Sequence, residues 1–545
     1  MSTVLRRWAD QALANPSGAA VRAAGEVLSH HALAALAAGR LAGLTGSGPV
    51  VIRCADPVDV VAALLACQAA GRTFVPLDAR LPEPRVREVL TELGTATVVT
   101  GRAEPGDGDA FLALAAAESP ADNGYVYFTS GSTGRAKGIR GSLRAVAHFV
   151  GWEITEFGIG AGTAVSQLTS PGFDAFLRDV FVPLCAGGVL CVPPPGEVLA
   201  GARLADWLEE AGVEVVHCVP TVFRTLRTDL SVGRLPALRV VLLAGEPLRA
   251  ADVAWWRSLF GDGKSLVNLY GPSETTMTKL FHRTGAADTA TVPVGLPMPG
   301  VTARVLDPLG REVPAGSLGE VELGVPFPLL GYLGGDKGGF DAADPHRYRT
   351  GDVGRIRPDG ALELLGRRDH QVKINGVRVE LGAVEAVLRR HSGVRDVCAV
   401  EADGLLCAYV VGEAADRDLA AHVAAELPAA MVPGVFVRLA ELPRTLSGKV
   451  DRRRLPAHTV VLVAGAGEPP RDELENAIAA VWAGLLGLPA VGRTDEFALL
   501  GGDSLAAARL LDRLRLDHRV DVSLRDFLAA PTVAALADRI RAAAS

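Results

Sequence analysis

Residues 127–138 hold the first cluster able to do chemistry: Tyr127-Phe128-Thr129-Ser130-Gly131-Ser132-Thr133-Gly134-Arg135-Ala136-Lys137-Gly138. Three glycines, four Ser/Thr hydroxyls, one Arg and one Lys stand together there. Backbone N–H groups of such a loop can wrap phosphate oxygens, and Lys137 can add a point charge. It is not a Walker A loop, because Ala136 stands where the glycine before the lysine is required. It is not the dinucleotide fingerprint, because Thr133 stands where a glycine should follow Gly131. A plain Gly/Ser/Thr surface turn has the same composition, so both readings stand on residue types alone.

The elements around the loop must position it. Gly124 to Phe128 reads as a short buried strand and Ser142 to Trp152 as a helix, which puts the loop between strand and helix. Similar alternation precedes it: helical periodicity over Ser29–Leu44 and Val58–Ala70, strand-like Val50–Ile52 and Thr73–Leu77. It resumes with a helix over Phe176–Cys185, a strand over Gly188–Val192, a helix over Leu204–Ala211, and strands over Val213–His217 and Leu238–Leu243. This pattern predicts a layered α/β domain, in which ligand-facing loops sit at strand C-termini. Ala244-Gly245-Glu246-Pro247 and Asn268 to Thr276 occupy such places. Val301 to Leu365 is strand-rich, and Gly366 to His370 is a polar break. Residues 370–455 read as a compact α+β segment. Val463 to Pro470 reads as a Gly/Ala/Pro-rich linker. Amphipathic patterns at Leu474–Leu486, Leu505–Leu516 and Val533–Ala542 predict a small helical bundle.

At 545 residues the chain exceeds one core and predicts several domains. A net charge of −7 leaves no basic footprint for nucleic acid. The seven cysteines are scattered without a Cys-x-x-Cys pair, which argues against a zinc site or disulfide frame. No signal-peptide core opens the chain and no apolar run is long enough for a bilayer, so the expected location is cytoplasmic, with no membrane partner.

With these stretches in hand, the chain resembles an adenylation domain of non-ribosomal peptide synthetases fused to a peptidyl carrier domain, within the adenylate-forming superfamily. Seven motifs carry the resemblance, in the family's order: Phe128 to Gly134 with Lys137-Gly138; Gly172-Phe173-Asp174-Ala175; Tyr270-Gly-Pro-Ser-Glu274-Thr-Thr; Tyr348-Arg-Thr-Gly-Asp352; Gly366-Arg367-x-Asp369-x-Gln371-Val-Lys373-Ile-x-Gly376; Ser447-Gly-Lys449-Val-Asp451; and Leu500-Gly-Gly-Asp-Ser504-Leu505. The resemblance implies a large layered α/β adenylation core (1–368), a small α+β C-terminal subdomain (369–458), a linker (459–470) and a four-helix carrier bundle (471–545).

It also implies a two-step reaction. An amino-acid carboxylate attacks the α-phosphate of ATP, releasing pyrophosphate, and a thiol then takes the acyl group, releasing AMP. The first step brings an anion to a polyanion, so charge must be neutralised and the groups held in line. By resemblance, Thr129, Ser130, Gly131, Ser132, Thr133, Gly134 and Lys137 hold the departing phosphates. Glu274 is the Mg2+ ligand, a hard carboxylate beside phosphates. Tyr270 stacks on adenine, Asp352 accepts from the ribose hydroxyls, and Arg367 reaches the ribose or the hinge. Gly245, Glu246, Gly271, Ser273 and Thr275 complete the ATP site. Lys449 is the principal catalytic candidate, an ammonium between carboxylate and α-phosphate. Asp369 is the hinge about which the small subdomain rotates between steps, exchanging Lys449 for Lys373 and the stretch Gln371 to Gly376. Ser504 carries the covalent 4′-phosphopantetheine arm, whose tether raises the thiol's effective concentration. A serine before a helix is also a plain N-cap, and the two roles coexist.

Asp174 resembles the residue that pairs with an α-amino group. The side-chain pocket follows from Ala175, Arg178, His217, Leu242, Ala244, Leu269, Met277 and Thr278, although Ala175 to Arg178 departs from the family's usual pattern. Most are small or apolar. Arg178 is the exception, and a buried guanidinium needs a partner. An acidic or polar substrate side chain supplies one. Alternatively Arg178, four residues after Asp174, pairs with Asp174 or points outward. An aliphatic substrate then remains open.

Two other readings compete. One is a stand-alone acyl-CoA ligase, against which Asp174 and Ser504 argue. The other is a carrier scaffold with an inactive ligase domain, against which Lys449, Glu274, Asp352 and Lys137 argue. The expected partners are the amino acid, a phosphopantetheinyl transferase, and downstream tailoring or condensation enzymes of antibiotic-type biosynthesis. A small helper protein, needed by some relatives, is a further candidate. With no condensation, reductase or thioesterase segment, the expectation is a free-standing loading module.

Overall fold

The computed structural model describes residues 3–544 except 24, 118–123, 131–135, 195–199, 289–290, 335–338, 341–342, 369–370, 375–376, 403–404, 444–449, 451, 457–467, 487, 498–499, 501, 503, 519–521, 524–525 and 528–529. The side chains of 129, 130, 136, 228, 371, 373, 378, 429, 453, 504, 505, 516, 518, 543 and 544 lie outside it as well. Three sheets organise the first two thirds of the chain. A nine-stranded sheet has a parallel centre formed by Ala164–Ser166, Val215–Cys218, Val240–Leu243 and Ser265–Tyr270, all short apolar runs. Such runs are what a strand covered on both faces requires. Beyond Ser265–Tyr270 the sheet turns antiparallel through Leu280–Arg283. A six-stranded sheet holds Val50–Ile52, Phe74–Pro76, Gly124–Ser130 and Ala136–Ser142. The third is a four-stranded antiparallel sheet of Thr302–Leu306, Gly319–Gly324, Arg347–Ile356 and Leu362–Arg367.

The helix Pro57–Ala69 lies in the largest apolar cluster, where Val60 to Cys67 are fully buried. The helix Ala175–Ala186 shares that core through Phe176, Leu177, Val180 and Phe181. Separate cores follow. One packs Leu381–Leu388 against the strands Val394–Ala402 and Leu405–Gly412. Another is built on Trp482, Phe497 and Phe527, whose rings pack tilted or edge-on at 4.9–5.9 Å. It joins the helices Glu473–Leu486, Ser504–His518 and Val533–Ala544. All seven cysteines are buried and none forms a disulfide. Among the described residues no helix is long and apolar enough to cross a membrane.

One expectation fails. The loop after Ser130 does not run into a helix. The strand Gly124–Ser130 pairs antiparallel with a second strand, Ala136–Ser142, and the helix starts only at Leu143 with Ser142 as its cap. Glycine disguised the second strand, because Gly138 and Gly141 weaken a strand pattern. Here they are needed. A Cβ at Gly141 would stand 2.0 Å from the Tyr125 ring, and one at Gly138 would stand 2.5 Å from the Leu333 side chain.

Candidate active site

This second strand brings Lys137 to one wall of the site. Its ammonium lies 3.8 Å from the centre of the Tyr332 ring. Tyr332 sits on the short strand Gly331–Tyr332, which pairs with Ala136–Ser142. Its hydroxyl donates to Glu274 Oε1 at 3.1 Å. Glu274 is buried, on the tight turn that follows the strand Ser265–Tyr270. A cation–ring–carboxylate chain thus joins the phosphate-loop lysine to the Mg2+ candidate. Sequence reasoning passed over Tyr332; its only signal is an aromatic between glycines at a strand edge. Residues 131–135 lie outside the described residues, as do the side chains of Thr129 and Ser130.

A second wall forms around Asp352. The Tyr270 hydroxyl donates to Asp352 Oδ2, and Arg367 Nη1 donates to Oδ1 at 2.7 Å. Burial, then the neighbouring Asp352, holds the Tyr270 phenol well above its ordinary range. Gly271 permits a close approach, since a Cβ there would stand 2.4 Å from the Met277 carbonyl. Thr275 donates to the Pro272 carbonyl at 2.9 Å. Gly245 takes φ +95°, a turn open to glycine. Glu246 is committed elsewhere in part: its Oε2 accepts from Thr221 N at 3.0 Å and Thr221 Oγ1 at 2.6 Å.

The third wall is the amino-acid side. Asp174 stands at the N-cap position of the helix Ala175–Ala186 without a side-chain capping bond; its carboxylate accepts instead from Ser273 Oγ at 3.0 Å and Met277 N at 3.1 Å. Burial raises its pKa above the ordinary carboxylate value, which a cationic partner would reverse. Thr276 and Met277 both take left-handed backbone, φ +62° and +59°. Each such residue costs about 1–3 kcal/mol and persists only where its surroundings enforce it. Three groups do so here. Tyr125 donates to Thr276 Oγ1 at 2.9 Å, Asp174 takes the Met277 N–H, and Lys279 Nζ donates to the carbonyls of Thr276 at 2.5 Å and Thr278 at 3.3 Å. Lys279 is buried and has no carboxylate in ion-pair range among the described residues. Desolvation pushes its pKa down to about 7.

Arg178 neither pairs with Asp174 nor points outward. It is 3% exposed and its Nε lies 3.4 Å from Asp179 Oδ1. Asp179 also takes His217 Nδ1 at 3.1 Å and the backbone N–H groups of Leu168 and Thr169, while His217 Nε2 lies 2.6 Å from Glu153 Oε1. Burial works against the His217 imidazolium, yet the two acids raise its pKa above the ordinary value. Desolvation is likewise outweighed at Asp179, whose pKa falls. The four form a neutral buried set once His217 is protonated. Asp179 and Glu153 escaped the sequence reading, since a lone acid on an apolar helix has no motif. Nη1 and Nη2 of Arg178 make no hydrogen bond among the described residues. Neither do the buried Tyr127 hydroxyl, Thr278 Oγ1 and Glu153 Oε2. Leu242, Leu269 and Met277 are buried, and Ala175 and Ala244 half-buried.

The small subdomain presents the hairpin Gln371–Ile374 and Val377–Glu380. Its second strand packs against Gly124–Ser130, the strand leading into the phosphate loop. Asp369, Gly376 and Lys449, and the Lys373 side chain, lie outside the described residues. Ser504 opens its helix, and its side chain lies outside them too. No cage of three or more His, Cys, Asp or Glu occurs among the described residues. A single buried carboxylate such as Glu274 suits Mg2+, which takes one or two carboxylates with phosphates and water.

Comparison with known proteins adds three family matches: AMP-binding enzyme over residues 10–333, AMP-binding enzyme C-terminal domain over 383–449, and phosphopantetheine attachment site over 476–540. The AMB antimetabolite synthetase AmbB of Pseudomonas aeruginosa is 36% identical over 98% of this chain and 45% of its own length. The phosphinothricin tripeptide synthetase PhsC of Streptomyces viridochromogenes is 33% identical over 94% of this chain and 50% of its own. The chain thus spans half or less of these relatives. Among solved structures, holo-PA1221, an NRPS protein with adenylation and PCP domains bound to a vinylsulfonamide inhibitor, superposes with TM-score 0.79. The match covers 99% of this chain and 97% of that one at 24% identity, a likeness of fold. A four-domain nonribosomal peptide synthetase, holo-AB3403 bound to AMP and glycine, is 27% identical over 99% of this chain and 42% of its own, with TM-score 0.60.

Proposed function

We infer the activity from one premise: the chain belongs to the AMP-binding enzyme family and carries a phosphopantetheine attachment domain behind its catalytic domains. It is an adenylate-forming ligase that uses ATP. We propose that it activates an α-amino acid with an acidic or polar side chain and loads it on its own carrier, for non-ribosomal peptide or related natural-product assembly. One observation carries the substrate class. The Arg178 guanidinium is buried, and its outer nitrogens have no acceptor among the described residues. These nitrogens keep some access to solvent, and a substrate carboxylate or amide would supply the acceptors they lack.

In this reading Asp174 takes the α-ammonium. Lys449 neutralises the charge that builds between the substrate carboxylate and the α-phosphate, and Lys137 draws off the pyrophosphate. Asp352 and Tyr270 hold ribose and adenine, and Glu274 would hold Mg2+, which would supply positive charge against the phosphates. Ser504 carries the phosphopantetheine arm, which supplies the thiol for the second step. Rotation about Asp369 replaces Lys449 with the hairpin bearing Lys373. The domain limits 1–368, 369–458, 459–470 and 471–545 belong to the same proposal.

The test is ATP–pyrophosphate exchange with a panel of amino acids. Asp, Glu, Asn or Gln should lead, and Arg178→Leu should shift preference toward Val or Leu. Strong exchange with Val or Leu in the parent protein, with none for Asp or Glu, would overturn the acidic reading. That outcome matters because Asp179 already balances the charge of Arg178, the feature that favours an aliphatic substrate.

A further inference from the structure

The helix Gly201–Glu210 of the large α/β domain begins without a local cap. Ala200 stands at the N-cap and provides no side-chain acceptor. Alanine is among the poorest residues for that position, because the first turn's N–H groups lack partners inside the helix. Gly201 N finds Thr225 Oγ1 at 3.0 Å. Arg203 N, at the third helical position, donates instead to Asp512 Oδ2 at 3.3 Å. That is the bond an N-cap Asp would accept, yet Asp512 is 309 residues away, on the helix that opens with Ser504.

The contact has a second arm. Arg203 Nε lies 3.3 Å from Asp512 Oδ1, an ion pair by distance that makes no hydrogen bond. Asp512 is 4% exposed; a helix N-terminus, the Arg203 side chain and Arg515 at 3.6 Å offset part of the cost of burial, which still holds its pKa above the ordinary value. Gly201 takes φ +56°, and a Cβ there would stand 3.0 Å from Asp229 Oδ2 and at an ordinary contact distance of 3.7 Å from Asp512 Oδ2. The directional part is the single backbone hydrogen bond from Arg203 N, with the ion pair beside it largely buried, unlike an exposed pair such as Arg417–Glu496 at 3.6 Å, which contributes little. Asp512 lies eight residues after Ser504, about 12 Å along the helix at the standard rise. The same helix therefore carries the attachment serine and the carboxylate that anchors it. This contact coexists with the packing of Val377–Glu380 against Gly124–Ser130, the arrangement expected for thioester formation.

We propose that Arg203 and Asp512 form the latch that docks the carrier for loading, with Asp512 capping a helix of the adenylation domain in trans. Both are positioning residues for the second half-reaction and take no part in the first. The proposal holds for any substrate side chain.

The test uses the full chain after phosphopantetheinylation, with its preferred amino acid. ATP–pyrophosphate exchange and the rate of aminoacyl transfer to the carrier are measured side by side, at low and high salt. Arg203→Glu and Asp512→Arg should each leave exchange unchanged and slow loading roughly tenfold, the scale of a lost buried ionic contact. The double variant Arg203→Glu/Asp512→Arg should recover most of that loss, because the charges are exchanged, and rising salt should slow the parent more than either single variant. Loading at the parent rate in Arg203→Glu would overturn the proposal, as would a double variant slower than both singles. Arg203 lies outside the carrier, so its variant decides the matter even where Asp512→Arg perturbs carrier folding.

Discussion

His217 and Glu153 lie 2.6 Å apart, ring nitrogen to carboxylate oxygen, and neither is exposed. The opposite ring nitrogen meets Asp179, so the imidazole is held between two acids. Removing one partner from such a buried set costs about 3–5 kcal/mol, because it leaves an unpaired charge. Glu153→Gln should therefore lower the first thermal transition of the chain and weaken exchange activity together.

The same pair sets a pH dependence. The folded-state pKa of His217 lies above its ordinary value. Its contribution to stability is thus complete below about 6.5 and is lost as pH rises through the raised value. Lys279 works in the opposite sense. Its folded pKa is about 7 against an ordinary 10.5. Between those values the unfolded chain binds the extra proton, so stability rises with pH. Denaturant titrations from pH 6 to 10 on Lys279→Met should lose that rise, and on His217→Gln the fall. A parent-like pH profile in Lys279→Met would remove Lys279 from the account.

Lys137→Ala should slow adenylation by about a hundredfold, the usual cost of removing one charge-stabilising donor. Thioester formation from preformed adenylate should change far less. Equal losses in both steps would count against a pyrophosphate-clamping role.

Tyr332→Phe removes the hydroxyl that orients Glu274 but keeps the ring under Lys137. The Mg2+ concentration for half-maximal exchange should rise about tenfold, as is common when a ligand's supporting hydrogen bond is lost. An unchanged Mg2+ requirement would mean that Glu274 is oriented without it.

Asp369→Pro restricts the backbone at the proposed hinge. Exchange should persist while loading falls on the order of a hundredfold through misplacement of the small subdomain. Normal loading would exclude a hinge at this position. Ser504→Ala should abolish loading and leave exchange intact, read by intact mass after transferase treatment.

By itself the sequence determined the class of chemistry. Ordered motifs from Phe128 to Ser504 identify an adenylating ligase joined to a carrier, because nucleotide and phosphate recognition demands particular residue types at short spacings on loops. Apolar periodicity likewise marked the central strands and the helix Pro57–Ala69. Tertiary structure decided what lies between motifs. It put a second strand, Ala136–Ser142, between the glycine-rich stretch and the helix, where glycines that look like strand breakers admit the Tyr125 ring and the Leu333 side chain. It gave Arg178 a partner in Asp179, a choice that spacing along one helix cannot make between two nearby acids. It joined Glu153 to His217 across 64 residues and Asp512 to Arg203 across 309. Such pairs leave no local trace, because burial and charge compensation are settled by whichever elements the fold brings together.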